Sequence, residues 1–277
     1  MPNKTINYQD LEINLAQPFK INQRKLIGRT KELELIKCAW NIKESERKWH
    51  IPAGTKPMNL KLIGAPGFGK NTIAEFAASK LEGYTLFSIT GHESLEPEDM
   101  ILSIIPRTDS KAVFTLQASP LLTALLTRKS ILFFDELNRV PERTLSVLSS
   151  LLDHRRALFS GLTNRWFEQP DDADDADFIF IAALNPTYHS SLPDYIDQRL
   201  LPSIDIGKPS IEEVVQIIKY YVKPTETLLN LFIQYYMENE MIKNISIRQC
   251  ISMMELASRQ PMVKNFTDLE KYIYPLN

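Results

Sequence analysis

Cysteine is scarce in this sequence: Cys38 and Cys250 are the two copies among 277 residues. They are far apart and neither has a neighbouring metal ligand, so the sequence predicts neither a disulfide framework nor a zinc site. Apolar runs long enough to span a membrane are also missing. The polar, charge-broken N-terminus resembles neither a signal peptide nor an anchor. We therefore expect a cytoplasmic protein with no membrane partner.

The chain also lacks an excess of positive charge. Its net charge is −2 and its pI is near 6.1, so no overall basic field attracts nucleic acid, although a local patch would still permit DNA contact. Apolar residues make up 44% and charged residues 24% of the chain, as in ordinary globular proteins. The length suffices for one large α/β domain and a small second domain.

Short apolar runs alternate with helical patterns along most of the chain. Predicted strands cover residues 60–63, 84–89, 131–134, 178–183 and 203–206. Predicted helices cover residues 72–81, 120–128 and 145–152, and an earlier helical spacing lies within residues 25–40. This alternation favours an α/β fold with a parallel sheet that helices cover on both faces.

The pattern becomes entirely helical after Pro209, with predicted helices over residues 211–222, 226–238 and 246–258. We therefore divide the chain into an N-terminal arm (1–24), an α/β domain (25–207) and a small helical domain with a tail (208–277). The acidic run at residues 171–177 is typical of a solvated loop, because its like charges repel one another.

A glycine-rich loop joins the first of these strands to a helix. It matches G-x-x-x-x-G-K and consists of Gly64, Ala65, Pro66, Gly67, Phe68, Gly69 and Lys70. Glycines let successive backbone N–H groups turn toward phosphate oxygens, and the N-terminus of the following helix adds positive potential. Lys70 is expected to reach the β- and γ-phosphates. The sequence thus predicts a P-loop that binds ATP.

One position departs from the usual pattern of such loops. The residue after the lysine is normally Ser or Thr, whose hydroxyl binds Mg²⁺. Here it is Asn71, with Thr72 one place later. An amide oxygen can bind Mg²⁺, whereas Thr72 lies about 100° further round the helix. Asn71 is therefore a candidate metal ligand, and weakened magnesium binding is the predicted consequence.

A second motif completes the predicted hydrolysis site. The apolar run at residues 131–134 ends in Asp135 and Glu136, at the carboxyl end of a strand, where ligands bind in open α/β sheets. Asp135 is expected to hold Mg²⁺, and Glu136 to orient and polarise the attacking water.

Taken together, these motifs resemble the AAA+ ATPases, and within them the MoxR branch of the dynein-related subgroup. The matching segments are LIGRTKELE (26–34), GAPGFGK (64–70), FFDELNRVPERTLSVLSSLL (133–152), IAALNP (181–186), LPDYIDQRL (192–200) and ISIRQC (245–250). The resemblance implies a P-loop NTPase parallel sheet flanked by helices, with a small C-terminal helical lid domain.

The resemblance also implies roles for residues outside the two motifs. Asn185 matches sensor 1, although an Asn-Pro turn is the alternative. Arg199 matches the arginine finger that reaches a neighbouring subunit's nucleotide, with a local ion pair to Asp194 or Asp197 as the alternative. Arg248 matches sensor 2, although a surface arginine is possible. Ile27 and Gly28 match the stretch beside the adenine ring.

Three functions remain open from the sequence. The first is an ATPase that works as a homo-oligomeric ring, by resemblance a hexamer, and remodels a protein client that could carry a von Willebrand-type domain. The second is a nucleotide-binding scaffold with weak hydrolysis, which Asn71 suggests. The third is a DNA-directed AAA+ machine, which the acidic pI disfavours. Arg139 could lie at a subunit interface or be solvated on a helix surface. Residues 153–156 could offer another basic contact or be exposed charges.

Overall fold

The computed structural model describes residues 4–21, 25–106, 114–186, 191–239 and 245–259. The chain divides into two compact units. The first contains residues 1–24, 30–64 and 70–205; the second contains residues 25–29, 65–69 and 206–277.

The first unit carries most of the strands and short helices. In chain order its strands are β1 (Thr5–Tyr8), β2 (Leu11–Asn14), β3 (Lys43–Ser45), β4 (Lys48–His50), β5 (Leu60–Ile63), β6 (Thr85–Thr90), β7 (Leu102–Pro106), β8 (Phe114–Ala118), β9 (Ser130–Asp135), β10 (Ala157–Ser160), β11 (Arg165–Glu168), β12 (Phe178–Leu184) and β13 (Ser203–Asp205). Its α-helices are α1 (Thr30–Ala39), α2 (Lys70–Lys80), α3 (Pro120–Leu125), α4 (Glu142–Leu145), α5 (Leu148–Leu151) and α6 (Asp194–Asp197).

A five-stranded parallel sheet in the order β13-β5-β12-β9-β6 forms the centre of the first unit. Strands β9 and β12 are buried along nearly their whole length, as their uninterrupted apolar runs predict. Helix α2 packs with four buried apolar residues, and α3 is capped by the Ser119 side chain. The structure therefore confirms the predicted α/β fold and the five predicted strands of its parallel sheet.

The N-terminal segment is more ordered than the predicted arm. Strands β1 and β2 form an antiparallel hairpin, and β2 pairs in parallel with β8, giving a second sheet in the order β1-β2-β8-β7. The Tyr8 ring also lies 4.9 Å from the Phe167 ring of the β10–β11 hairpin. This hairpin was not predicted, because its strands have four residues each and only partial apolar alternation.

The structure of two other segments differs from the prediction. The helix predicted over residues 145–152 is two one-turn helices, α4 and α5. The acidic run is not fully solvated: Asp174 caps a 3₁₀ turn through the Ala176 N–H, and Asp177 is buried. Among the described residues, no helix is long and apolar enough to cross a membrane.

The second unit is helical and has its own core. It contains α7 (Ile211–Tyr221), α8 (Glu226–Glu238) and α9 (Ile247–Arg259). Ser210 and Glu213 form a capping box at the start of α7, and Thr225 caps α8. The three helices pack around buried apolar residues that include Ile218, Phe232 and Met254. These bounds agree closely with the three helices predicted from periodicity.

Candidate functional site

The predicted phosphate-loop lysine is the first residue of helix α2, directly after the glycine-rich loop. Lys70 is buried, and its Nζ donates to the Gly64 carbonyl at 2.6 Å. Burial lowers the pKa of Lys70 below its usual 10.5, while the nearby carboxylates of Asp135 and Glu136 oppose that shift. The Lys70 ammonium group therefore lies at the N-terminus of α2, close to the carboxylates of Asp135 and Glu136.

Asn71, the unusual residue after the lysine, contacts the carboxylate at the end of β9. Its Nδ2 lies 2.7 Å from Asp135 Oδ2, and Asp135 Oδ1 accepts the Glu136 N–H at 2.9 Å. An amide and a carboxylate together present the oxygen ligands that Mg²⁺ prefers. These residues fit a magnesium site, since such sites use one or two protein ligands together with substrate phosphates. Thr72 follows on α2 and is half-buried.

Glu136 adopts a left-handed backbone conformation, with φ +52°, just after β9. Its Oε2 accepts from Arg139 Nη1 at 2.8 Å, and both side chains are about 30% exposed (29% and 32%). Arg139 thus contacts the predicted catalytic carboxylate and is not simply a solvated side chain. The i,i+3 spacing alone could suggest the pair, but only in a helical or turn conformation.

A glycine on the neighbouring strand end makes the position of Glu136 possible. Gly91 follows β6, and its N–H donates to the Asp135 carbonyl at 2.8 Å. A Cβ at Gly91 would lie 2.4 Å from the Glu136 carbonyl oxygen. Gly91 was not among the predicted site residues, although an isolated glycine after a strand indicates close backbone approach.

Asn185, the predicted sensor 1 residue, lies at the end of β12 and is 3% exposed. Its carbonyl accepts from Asn138 Nδ2 at 2.9 Å, and its N–H donates to Asn138 Oδ1 at 3.2 Å. The Leu184 carbonyl just before it accepts the Gly64 N–H. Asn138, which the sequence analysis did not select, therefore fixes the backbone of Asn185 beside the start of the phosphate loop.

Arg199, the predicted arginine finger, follows helix α6 and is half-buried. Its Nη1 donates to the Tyr195 carbonyl. The alternative of a local ion pair with Asp197 is not what the structure shows, because the Asp197 carboxylate pairs with Lys61 instead. The arginine thus folds back over its own helix through a main-chain carbonyl.

Within the second unit, the middle of the phosphate loop meets the start of α9. Gly67 has φ +78°, and a Cβ there would lie 2.7 Å from Ser246 Cβ and 3.8 Å from Arg248 Cβ. Arg29 Nη2 donates to the Phe68 carbonyl at 2.9 Å. Arg248, the predicted sensor 2 residue, therefore lies beside Gly67. Arg29 is a further loop contact; it lies in the matching segment 26–34 but had no predicted role.

The predicted adenine-side residues line a pocket of the second unit. The pocket has a volume of about 430 Å³, and its lining includes Leu26, Ile27 and Gly28 together with Gln216, Lys219 and Tyr220 of α7. Gly28 has φ +72°, and a Cβ there would collide with the Glu213 carboxylate. Pockets of this size hold small ligands.

The basic stretch before the β10–β11 hairpin does not form a single charged surface. Arg155 pairs with Asp153, whereas Arg156 is 4% exposed and lies over the Phe178 ring, 5.2 Å from its centroid. Burial lowers the pKa of Arg156 to about 10. Arg156 therefore belongs to the interior, and the hypothesis of a four-residue basic contact is wrong for this position.

Comparison with known proteins gives the family. The model of the dynein-related subfamily of AAA domains matches residues 59–201, just over half of the chain. An uncharacterized protein of Staphylococcus epidermidis is 26% identical over 220 residues, which cover 74% of this chain and 80% of that protein. The chaperone MoxR1 of Mycobacterium tuberculosis is 29% identical over 163 residues.

The shares of each chain that are covered show how much of each protein is similar. The MoxR1 match covers 58% of this chain but 39% of MoxR1. The Holliday junction branch migration motor RuvB of Thermotoga maritima superposes with a TM-score of 0.54 at 16% identity, over 91% of this chain and 71% of RuvB; this likeness shows the fold alone. Together with the motifs, the family match shows that the chain belongs to the dynein-related AAA family, as an AAA+ ATPase of the MoxR-like kind.

Proposed function

We propose that the protein binds ATP with Mg²⁺ and hydrolyses it in a homo-oligomeric ring, a hexamer by resemblance, in order to remodel a protein client. The observation that carries the proposal is the meeting of the two motifs. Asn71 of the phosphate loop lies 2.7 Å from Asp135 at the end of β9, and Glu136 follows directly. A family domain that brings phosphate-binding and carboxylate residues together is suited to phosphoryl transfer to water.

Each of these residues has a role that its chemistry suits. Lys70 would leave the Gly64 carbonyl and neutralise phosphate charge as a mobile ammonium. Asp135 and Asn71 would hold Mg²⁺, which when bound neutralises charge on the phosphate oxygens. Glu136 would orient and polarise the attacking water once it separates from Arg139. Asn185 would help to place that water.

The remaining predicted residues fit the same proposal. Ile27 and Gly28 would contact the adenine from their pocket in the second unit. Arg248 would contact phosphate oxygens, since it lies beside Gly67 of the phosphate loop. Arg199 would stabilise transition-state charge at a neighbouring subunit's nucleotide, the effect of an arginine finger.

The client is inferred from relatives. MoxR1 is a chaperone, and this likeness supports a protein client, with a partner carrying a von Willebrand-type domain as the first candidate to test. The expected location in the cytoplasm rests on the sequence alone. A DNA client has weaker support, because RuvB shares only the fold and this chain carries a net charge of −2.

Two contacts favour a second candidate, a nucleotide-binding scaffold with weak hydrolysis. Asn71 replaces the usual hydroxyl and bonds to Asp135, and Glu136 is paired with Arg139. Both contacts must break before metal and water can take their places.

Measuring the mass of the oligomer with and without ATP tests the proposal. We expect a ring that ATP stabilises, with Arg199→Ala retaining the ring but losing hydrolysis by about 10³-fold or more, the usual effect of removing an arginine finger. Normal hydrolysis by Arg199→Ala in an intact ring would remove the finger from the account. A protein that stays monomeric with ATP, whatever its hydrolysis rate, would contradict the ring.

A further inference from the structure

An ion pair between a buried lysine and a half-exposed aspartate connects the strand that leads into the phosphate loop with the segment that carries Arg199. Lys61 is the second residue of β5, three residues before Gly64, and is 4% exposed. Its Nζ lies 2.5 Å from Asp197 Oδ1 and 3.5 Å from the Asp197 carbonyl. Asp197 ends helix α6, two residues before Arg199.

A lysine in this position needs a specific explanation. Lysine is almost never fully buried unless it is paired, because desolvating an unpaired ammonium is costly. Here the rest of β5 is apolar and buried or half-buried. A methionine would fill nearly the same volume without the cost of desolvating an ammonium, and an ion pair whose carboxylate side chain is 47% exposed adds little stability. Stability alone therefore does not account for Lys61.

Further contacts join the same two segments. Asn59 Nδ2, just before β5, lies 3.5 Å from the Arg199 carbonyl and 3.1 Å from the Leu152 carbonyl. The Lys61 N–H donates to the Pro202 carbonyl, and β13 pairs in parallel with β5 from Ser203 onward. Strand β5 thus holds the Arg199 segment on both sides of the arginine, and Lys61 provides the one charged contact among these.

We propose that Lys61 is a positioning residue for the arginine finger. By pairing with Asp197, Lys61 fixes the end of α6 against β5, the strand that leads into the phosphate loop. The position from which Arg199 reaches the neighbouring subunit is thereby fixed. Lys61 itself lies in the sheet and acts on the neighbour's nucleotide only through Arg199. This inference rests on the proposed role of Arg199.

The role predicts a defect in trans, which a purely structural residue would not produce. Glu136→Gln subunits, which do not hydrolyse ATP themselves, can still offer Arg199 to wild-type neighbours. The test compares rings that contain both wild-type and inactive subunits. The two kinds of subunit are co-expressed with different affinity tags, and four inactive partners are used. The partners carry Glu136→Gln alone or together with Lys61→Met, Arg199→Ala or Lys48→Met.

The Lys48→Met partner is the matched control, because Lys48 also forms an ion pair, with Glu82, but on an exposed hairpin. We expect the Lys61→Met partner to lower the kcat of wild-type sites by about tenfold to a hundredfold relative to the control, since small misplacements of a transition-state group cost that much. KM should stay unchanged, because the wild-type sites bind ATP with their own residues. Lys61→Arg should restore most of kcat.

Melting temperature and ATP binding of the Lys61→Met chain show whether it is folded. If the Lys61→Met partner supports hydrolysis as well as the control while the Arg199→Ala partner does not, the positioning role is wrong and the finger stands. If the Arg199→Ala partner also supports normal hydrolysis, the finger proposal itself fails, and the role of Lys61 fails with it. A Lys61→Met effect on KM rather than kcat would also contradict the inference.

Discussion

The amide nitrogen of Asn71 lies 2.7 Å from Asp135 Oδ2, so the residue that replaces the usual magnesium-binding hydroxyl bonds directly to the carboxylate expected to hold the metal. The other oxygen of Asp135 accepts the Glu136 N–H. Both carboxylate oxygens are therefore engaged within the protein. Metal binding has to compete with the amide for one of them.

This competition predicts how the magnesium requirement responds to substitution. Asn71→Thr should lower the Mg²⁺ concentration for half-maximal hydrolysis by about tenfold to a hundredfold, the range typical of changes around a metal site. A hydroxyl is easier to place on the metal than an amide. The substitution also removes the Asn71 amide, which competes with the metal for Asp135. Magnesium titration of ATP hydrolysis measures the shift. The control is Ser79→Ala, at an exposed position further along α2, which should leave the titration unchanged. If Asn71→Thr does not shift the titration curve either, Asn71 does not limit metal binding.

Lys70 should be essential for nucleotide affinity. Its ammonium is buried and close to the Gly64 carbonyl, so Lys70→Met should weaken ATP binding by about a hundredfold, equivalent to roughly 2.7 kcal/mol. Lys70→Arg should also fail, because a planar guanidinium does not fit the position of a compact ammonium. Binding of a fluorescent ATP analogue measures both. Unchanged affinity in Lys70→Met would exclude a phosphate role.

The lowered pKa of Lys70 gives this prediction a pH dependence. Burial favours the neutral amine, so the folded protein loses this proton at a lower pH than an ordinary lysine with a pKa of 10.5. As the pH rises, ATP affinity should therefore begin to fall at a lower pH than the titration of an ordinary lysine would cause. In Lys70→Met this alkaline loss should disappear.

Gly91 should control hydrolysis without controlling binding. A Cβ there would lie 2.4 Å from the Glu136 carbonyl oxygen, so Gly91→Ala must displace the backbone of Glu136, the residue proposed to orient the attacking water. We expect kcat to fall by about tenfold to a hundredfold with ATP affinity nearly unchanged. Gly161→Ala is the matched control, because no atom lies within 4 Å of the added carbon. Equal kcat in the two variants would show that the Glu136 backbone tolerates displacement.

Asn138 should act through Asn185. Asn138→Asp keeps an acceptor for the Asn185 N–H but loses the donor to the Asn185 carbonyl, which then lies buried without that bond. Losing one hydrogen bond between buried groups costs about 0.5–1.5 kcal/mol, so the melting temperature should fall. Hydrolysis per folded molecule should fall as well, because the end of β12 loses one of the hydrogen bonds that join it to residue 138. A stability loss with normal kcat would limit Asn138 to a structural role.

The sequence was sufficient to predict the parts of the site that are local in the chain. The loop from Gly64 to Lys70 and the strand ending at Asp135 each show a spacing that depends on neighbouring residues only, and the fold follows from their alternation with helices. The three helices α7, α8 and α9 were also predictable, because apolar residues recur at helical intervals and Ser210 and Thr225 cap two of them.

Contacts between distant segments could not be predicted in this way. Arg29 donates to Phe68 across 39 positions and Asn138 to Asn185 across 47, distances at which no periodicity operates. The pairing of Lys61 with Asp197 spans 136 positions and depends on β13 lying beside β5. Such pairs follow from strand order, which a single sequence specifies only through the whole fold.

The role of Glu136 in hydrolysis is tested by measuring phosphate release by wild type and by Glu136→Gln. Both proteins are saturated with ATP and Mg²⁺ and shown to hold the same amount of nucleotide. We expect equal binding, with release by wild type at least about a hundredfold faster, the effect of losing a general base. Equal release rates with equal binding would contradict hydrolysis at Glu136 and leave a nucleotide-binding scaffold.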